Sequence, residues 1–465
     1  MTLTEEGIAV DNSNQNLTRV LSQRDTIALA FGAMIGFSWI ILAGSWVLDA
    51  GALGSVLAIL IGGIMIAFVG LTYSELVSAM PKAGGEHNYV WRALGARAAF
   101  VASWALALGY VAVVAFEAVA LPTALNYVVP QLETGFLWTV AGYDVYLVWA
   151  LVGSVGAVFI TALNYIGIRP AAIFQLLVVL LLAAIGVLMV FGSVTGGESS
   201  NFSPLFTSFG GLMAAVLTLP FAFVGFDVIP QSAEEINLPY RRIGSLLIVS
   251  VILAVIWYVI VVLSVGLGLG PQQLETSELA TADAMGNLFG SGVFANILIL
   301  GGVFGILTSW NGFLIGGSRL VYAMAHSGML PGWLGRLHHR YRTPTNAILV
   351  IGALSFIAPF FGREMLIWLV DAGSMNIVIA YLMVAISFVV LRRREPEMSR
   401  PFRVGAGIVV GSIAVLLSLF FFVQYLPGMP AGLIWPPEWA IVVLWWIPGL
   451  IFIFRMDTPE YNPEL

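Results

Sequence analysis

Apolar stretches about as long as a bilayer is thick recur along the chain, separated by short polar, glycine- and proline-containing breaks. A helix crosses the hydrocarbon with ~20 apolar residues. Twelve such stretches can be marked, at about 25–48, 52–79, 98–129, 144–164, 170–194, 209–235, 245–269, 293–319, 345–362, 365–391, 406–426 and 437–455. Most are plain runs of Leu, Val, Ile and Ala, apolar on every side, as a helix surrounded by lipid and other helices should be. The first 24 residues are polar and hold no apolar h-region, so no cleaved signal peptide is expected. No connection is long enough to fold by itself. The pattern predicts an all-α polytopic membrane protein with 12 transmembrane helices.

Composition sharpens this. The chain is 60% hydrophobic and only 9% charged, against about 25% charged in an ordinary soluble domain. So few charges exclude a soluble enzyme, a nucleic-acid binder and a disordered protein. The net charge of −6 offers no basic patch for phosphate. Cysteine is absent, which removes disulfides, thiolate zinc sites and catalytic thiols. Of the 19 basic residues only Lys82 is lysine. Threaded through the twelve spans, 18 of the 19 fall on one side and Arg363 alone on the other. The positive-inside rule then predicts both termini in the cytoplasm and a multi-pass protein of the cell (inner) membrane. The opposite loops are acidic, with Glu133, Glu198, Glu275, Glu278 and Asp283.

Spans 1 and 6 depart from the plain pattern. Span 1 reads FGAMIGFSW (Phe31 to Trp39) and span 6 reads PFAFVGFDVIP (Pro220 to Pro230). Each places Gly-Phe at mid-membrane followed by a short polar residue: Gly36-Phe37-Ser38 and Gly225-Phe226-Asp227. Glycine lets the backbone leave helical geometry, Ser and Asp are good N-caps for a helix that restarts, and Pro230 suits a first turn. Unwound backbone survives in a membrane only where protein or a polar cavity satisfies it. The breaks lie five spans apart, an odd number, so the second unit enters from the opposite face. Spans 1–5 and 6–10 read as an inverted repeat, a mark of secondary transporters. The expected division is a segment 1–24, repeats over 25–194 and 195–391, and helices 11 and 12 over 392–465. Half-helix N-termini offer N–H groups to an anion, and half-helix C-termini offer carbonyls to an ammonium. A ligand bearing both, such as an amino acid, fits. The plainer alternative is that each Gly is a packing notch.

At these residues the chain resembles the amino acid–polyamine–organocation (APC) superfamily, amino acid permease type. The similar stretches are PKAGGEHNYVWRALG (Pro81 to Gly95), the GFD break followed by AEEINLPYRRIG (Ala233 to Gly244), SRLVYAMAHSGMLP (Ser318 to Pro331) with RTPTNAIL (Arg342 to Leu349), and LRRREPEMSRPFRV (Leu391 to Val404). The resemblance covers spans 1 to 11. It implies a LeuT-like 5+5 inverted repeat plus two extra helices, and alternating access. It implies a substrate carboxylate on the N–H groups of Ile35, Gly36, Phe37 and Ser38. It implies an amino group on the carbonyls of Phe221, Ala222 and Val224, beside Gly225, with Phe226 as an aromatic gate over the substrate. Where relatives often have GSG or GTG, this chain has GFS, with Phe37 bulky and Ser38 in place of the second Gly. That leaves the α-carboxylate requirement open. Some relatives use a helix-5 Lys in place of sodium; the single Lys82 lies in a loop, so that device is absent.

Glu117, deep in span 3, is costly in lipid and should face the bundle interior. It is a candidate proton carrier or counter-charge for an amine, or a protonated structural Glu. Asp227 is expected as the N-cap of the restarted half-helix, with direct proton or substrate binding as the alternative. Thr308 and Ser309 could ligate sodium, although hydroxyls bonding back to their own helix are commoner. Glu75, Glu234 and Glu235 lie near span ends among arginines, where solvated pairing is the default and gate ion pairs the alternative. Residues 84–95 are expected as a short interfacial helix with Tyr89 and Trp91 dipping into headgroups. All four His residues map to loops, so no intramembrane metal site is expected. The reading is a secondary active transporter of amino acids, proton-coupled or exchanging, and not an enzyme. The alternatives are a polyamine or simple amine carrier, and a non-transporting nutrient sensor on the same fold. No cofactor is expected, only a proton or sodium gradient. The expected partners are a small amino acid or amine and the lipid bilayer, with no nucleic acid and the oligomeric state open.

Overall fold

The computed structural model describes residues 17–456 and 461. Among these, ten helices are long and apolar enough to cross a membrane, from Ala43–Ala79 to Pro437–Arg455. Two of the twelve apolar stretches differ. Span 9 is the shorter apolar helix Thr345–Phe361. Span 1 is split into Gln23–Met34, Ser38–Ile41 and the first turns of Ala43–Ala79, which changes direction at Gly51 (φ 77°, ψ 165°) to become span 2.

Span 3 (Ala96–Val128) forms the centre: 89% of its most apolar stretch is buried, against 17% for span 12 (Pro437–Arg455). Apolar surface is costly only where it faces water, so peripheral helices keep Leu and Val exposed to lipid while central ones need small residues for close approach. Span 3 packs on span 8 (Gly292–His326) and span 10 (Met365–Arg394). Where spans 3 and 10 meet, a side chain on Gly109 would run into Ile377 and one on Gly373 into Ala112.

Outside the bundle, on the face of the acidic loops, an antiparallel hairpin of Phe136–Val140 and Tyr143–Tyr146 precedes span 4 (Leu147–Tyr165). Its Ala141-Gly142 turn has positive φ at both residues, which suits a two-residue hairpin loop. The start expected for span 4 at 144 therefore moves to Leu147. Two short helices, Pro271–Thr276 and Ala280–Leu288, lie between spans 7 and 8 on that side.

The arginine-rich face is closed by paired groups. The backbone of Val20 and Leu21 donates to Glu235 O (2.9 and 2.8 Å), and Asn237 N–H returns to Leu21 O at 2.8 Å. Arg319 meets Glu235 through two bonds of 2.8 and 3.0 Å, both side chains buried. Glu75, also buried, pairs with Arg392 and with Arg400 (3.0 Å). The default of solvation is thus corrected for Glu75 and Glu235: the segment 19–21 and the loop after span 10 cover these span ends and exclude water. The short helix after span 2 is Glu86–Leu94, but Tyr89 and Trp91 are buried (0% and 3% exposed). It lies against spans 3 and 10, so these aromatics face protein, not headgroups.

Candidate functional site: two helix breaks in contact

The first break runs through Ile35–Phe37, and the second through residues 224–227, between Phe209–Phe223 and the restarted Val228–Gln231. Gly225 has φ 125°, a region side chains rarely enter. A Cβ there would lie 2.8 Å from Ala33 C and Met34 N, so break 2 meets the backbone of the last helical turn before break 1. Gly36 is needed for a different reason. A methyl on it would strike Glu117 Oε1 and lie 2.9 Å from Ser309 Oγ.

The expected caps do not form. Ser38 is the first helical residue after break 1, and its Oγ lies 2.9 Å from Tyr258 Oη. Asp227 sits at the N-cap position with φ −73°, ψ −8° and makes no capping bond. A cap needs an extended backbone at that residue. Asp227 is instead turned back on the break, its Oδ1 accepting from Gly225 N–H at 3.0 Å and its Oδ2 from Tyr110 Oη at 2.7 Å.

Tyr258 of span 7 (Tyr240–Gly268) joins the two breaks. Its hydroxyl reaches the carbonyls of Met34 (3.1 Å) and Ala222 (2.8 Å), the last turns of the two interrupted helices. Orphan carbonyls at helix C-termini need such donors. So of the carbonyls expected to hold an amino group, Ala222 O is engaged by a phenol. Of the expected N–H donors, Ile35 is spent on Phe31 O at 3.1 Å. Glu117 brings its carboxyl up to Gly36 and Ser309, where a methyl on Gly36 would strike its Oε1, and its Oε2, buried, has no protein partner.

Ser309 therefore belongs to the Glu117 side. Thr308 donates back to Phe304 O (3.1 Å) and Gly305 O (2.9 Å) of its own helix. Beside it an amide chain links four spans. Gln175 Nε2 donates to Ala28 O (3.2 Å) and Thr308 O (3.1 Å), Asn311 Nδ2 to Gln175 Oε1 (2.8 Å), and Asn164 Nδ2 to Asn311 Oδ1 (2.9 Å). Phe221 meets Phe116 edge to face at 5.3 Å. Phe226 packs on Tyr73 (5.5 Å) and Tyr381 (5.3 Å), on the side of the half-helix that leads to the arginine-rich face. Every site residue expected from sequence is buried. Sequence reasoning missed Tyr258, Tyr110 and Gln175. The signal available was a polar side chain inside an apolar span, as with Gln175, the one amide in span 5. Among the described residues no group of His, Cys, Asp or Glu could hold a metal ion.

Residues 21–452 match the sequence model of a family described as amino acid permease. The chain is 27% identical over 464 residues to the methylthioribose transporter of Bacillus subtilis (strain 168), covering 97% of this chain and 95% of that one. It is 27% identical over 470 residues to the branched-chain amino acid permease BcaP of the same organism (96% and 95%). It is 25% identical over 472 residues to that organism's aspartate-proton symporter (97% and 85%). With ten membrane-length apolar helices among the described residues, one of them the broken span 6, and a match along nearly its whole length, this chain is a multi-pass membrane transport protein, not an enzyme, and belongs to the amino acid permease family.

Proposed function

We propose that this chain is a secondary active transporter of amino acids that alternates access around the two breaks. The observation that carries the reading is the contact of Gly225 with the Ala33–Met34 backbone, cross-tied by Tyr258. Two interrupted helices fixed to each other at mid-bundle can carry one ligand site between two faces. The LeuT-like 5+5 arrangement with twelve spans, the cell inner membrane, and a cytoplasmic arginine-rich face all belong to this proposal. Relatives named for branched-chain amino acids, aspartate and methylthioribose frame the substrate class.

Protons are the proposed coupling ion, carried on Glu117. Its carboxyl reaches both break 1 and span 8 and keeps one oxygen unbonded. Sodium is less suited, because the carbonyls of Ala28 and Thr308 already receive the Gln175 amide. A second reading, an amine carrier, is favoured by one observation: the Glu117 carboxyl lies against break 1 at Gly36, where it would repel a substrate carboxylate. Counterflow in liposomes with a panel of amino acids and amines, with and without a proton or sodium gradient, tests both. Saturable exchange of zwitterions, driven by a proton gradient, is expected. Exchange of amines alone supports the second reading, and ligand binding without flux would make the chain a sensor.

A further inference from the structure

Between the breaks and the arginine-rich face lies a group of buried polar atoms that the substrate site does not use. Glu86 opens the short helix Glu86–Leu94 and is fully buried. Its Oε1 accepts from Gln231 Nε2 at 2.5 Å, while its Oε2 has no protein partner. Gln231 Oε1 and the hydroxyls of Tyr73, Tyr89 and Tyr381 also lack partners and are buried. These atoms come from span 2, the short helix, half-helix Val228–Gln231 and span 10. They adjoin one another: Tyr73 packs on Tyr89 at 6.4 Å and on Tyr381 at 5.8 Å. Asp227 and Gln231 are four residues apart, hence on one face of the half-helix.

The charges around this group are one-sided. From span 3 come Tyr110, bonded to Asp227, and Ser103, which lies 3.0 Å from His87 Nδ1. Burial pushes His87 down to about 4, so it is neutral at physiological pH. From span 8 comes Arg319, committed to Glu235. Among the described residues, Asp227 is the charged side chain whose field acts on Glu86, and no cation is paired with either carboxyl. Two carboxylates in that position cannot both stay ionised without a large cost. Burial, and then the charge of Asp227, push Glu86 well above the usual carboxylate range.

We infer that Glu86, bonded to Gln231, and Asp227, one helical turn before Gln231, form a second proton-holding site between the substrate breaks and the arginine-rich face. This rests on the transport reading and deepens its coupling step. In the closed state the pair keeps a proton. When the half-helix swings away to open that face, Gln231 leaves Glu86, water reaches the carboxyl, and the proton passes from Glu86 to that water, leaving a carboxylate. Reclosing takes a proton back. Opening and proton release are then one event, which is what a coupled carrier requires.

The test uses the full chain in liposomes and the variant Glu86→Gln, which keeps the shape and the bond to Gln231. Counterflow should stay within about twofold of wild type, while accumulation driven by a pH gradient should fall at least tenfold. Accumulation equal to wild type overturns the inference, and so does loss of counterflow together with accumulation, which would make Glu86 a structural part of the carrier. In parallel, the infrared spectrum of the wild-type protein at neutral pH should show the carbonyl stretch of a neutral carboxyl that Glu86→Gln lacks. A spectrum with no such difference also overturns it. If the wild type shows no counterflow at all, the transport reading fails, and the infrared band still decides the state of Glu86.

Discussion

Gly225→Ala is the most informative single change, because the obstacle is backbone and not side chain. The new Cβ would sit 2.8 Å from Ala33 C and Met34 N and 2.9 Å from Ala33 Cβ, against a comfortable carbon separation of roughly 3.5–4.0 Å. Overfilling a tight contact costs about 1–3 kcal/mol. The φ of 125° adds strain of about 1–3 kcal/mol for a residue with a side chain. Together these give about 2–6 kcal/mol against any state that keeps the breaks together, a factor of roughly thirty or more. Gly36→Ala is the control. Its φ is not positive and its Cβ would meet the Glu117 and Ser309 side chains, which can shift. Tm from tryptophan fluorescence of purified protein, together with counterflow, measures both. Gly225→Ala should lower Tm and abolish flux, whereas Gly36→Ala should keep its Tm and change the pH response. A Gly225→Ala protein with wild-type Tm and flux would refute the claim that Gly225 is in backbone contact with the helix end at Ala33–Met34.

Tyr258→Phe removes the donor shared by Met34 O and Ala222 O; two buried carbonyls lose a partner at about 1–3 kcal/mol, and flux should fall in a protein that still folds, with unchanged flux counting against the cross-tie. Arg319→Leu leaves Glu235 buried without its ion pair and should cost about 3–5 kcal/mol, read as a fall in Tm that Arg319→Leu combined with Glu235→Leu largely reverses. Glu117→Gln should leave exchange measurable but insensitive to a proton gradient, and gradient-driven accumulation equal to wild type would remove Glu117 from coupling. Wild-type uptake should not respond to sodium, since the Gln175 amide fills the place between spans 1 and 8; a sodium-dependent rate would contradict that.

The helices were legible because their signal is length and apolarity, properties of a stretch and not of any partner. The breaks were legible because Gly-Phe followed by a short polar residue is rare inside such runs, and because it occurs twice in one setting. Less was legible where the span ends. Glu75 and Glu235 lie next to arginines in the pattern, but only the fold decides whether water reaches them. The residues that exclude it, 19–21 and 400–404, are far away in sequence.

Inside the site the limit is rotational. Tyr258 stands in AVIWYVIVV, a run apolar on all sides, so nothing in its periodicity says that this face turns toward two orphan carbonyls. Asp227 shows the same limit from the other direction. Its residue type suits a cap, yet capping depends on backbone angles that Val224 and Gly225 set upstream, at φ −62°, ψ 141° and φ 125°. Once those two residues turn the chain, the carboxyl points back to Gly225 N–H and across to Tyr110. The consequence reaches beyond geometry. A capping Asp would stabilise the half-helix by itself, whereas this Asp ties the break to span 3, so moving the half-helix must break the Tyr110 bond. Gln231, one turn further, adds the bond to Glu86. The half-helix is therefore held at both ends by carboxyl groups, which is why the proposed proton site predicts that its opening and proton release go together.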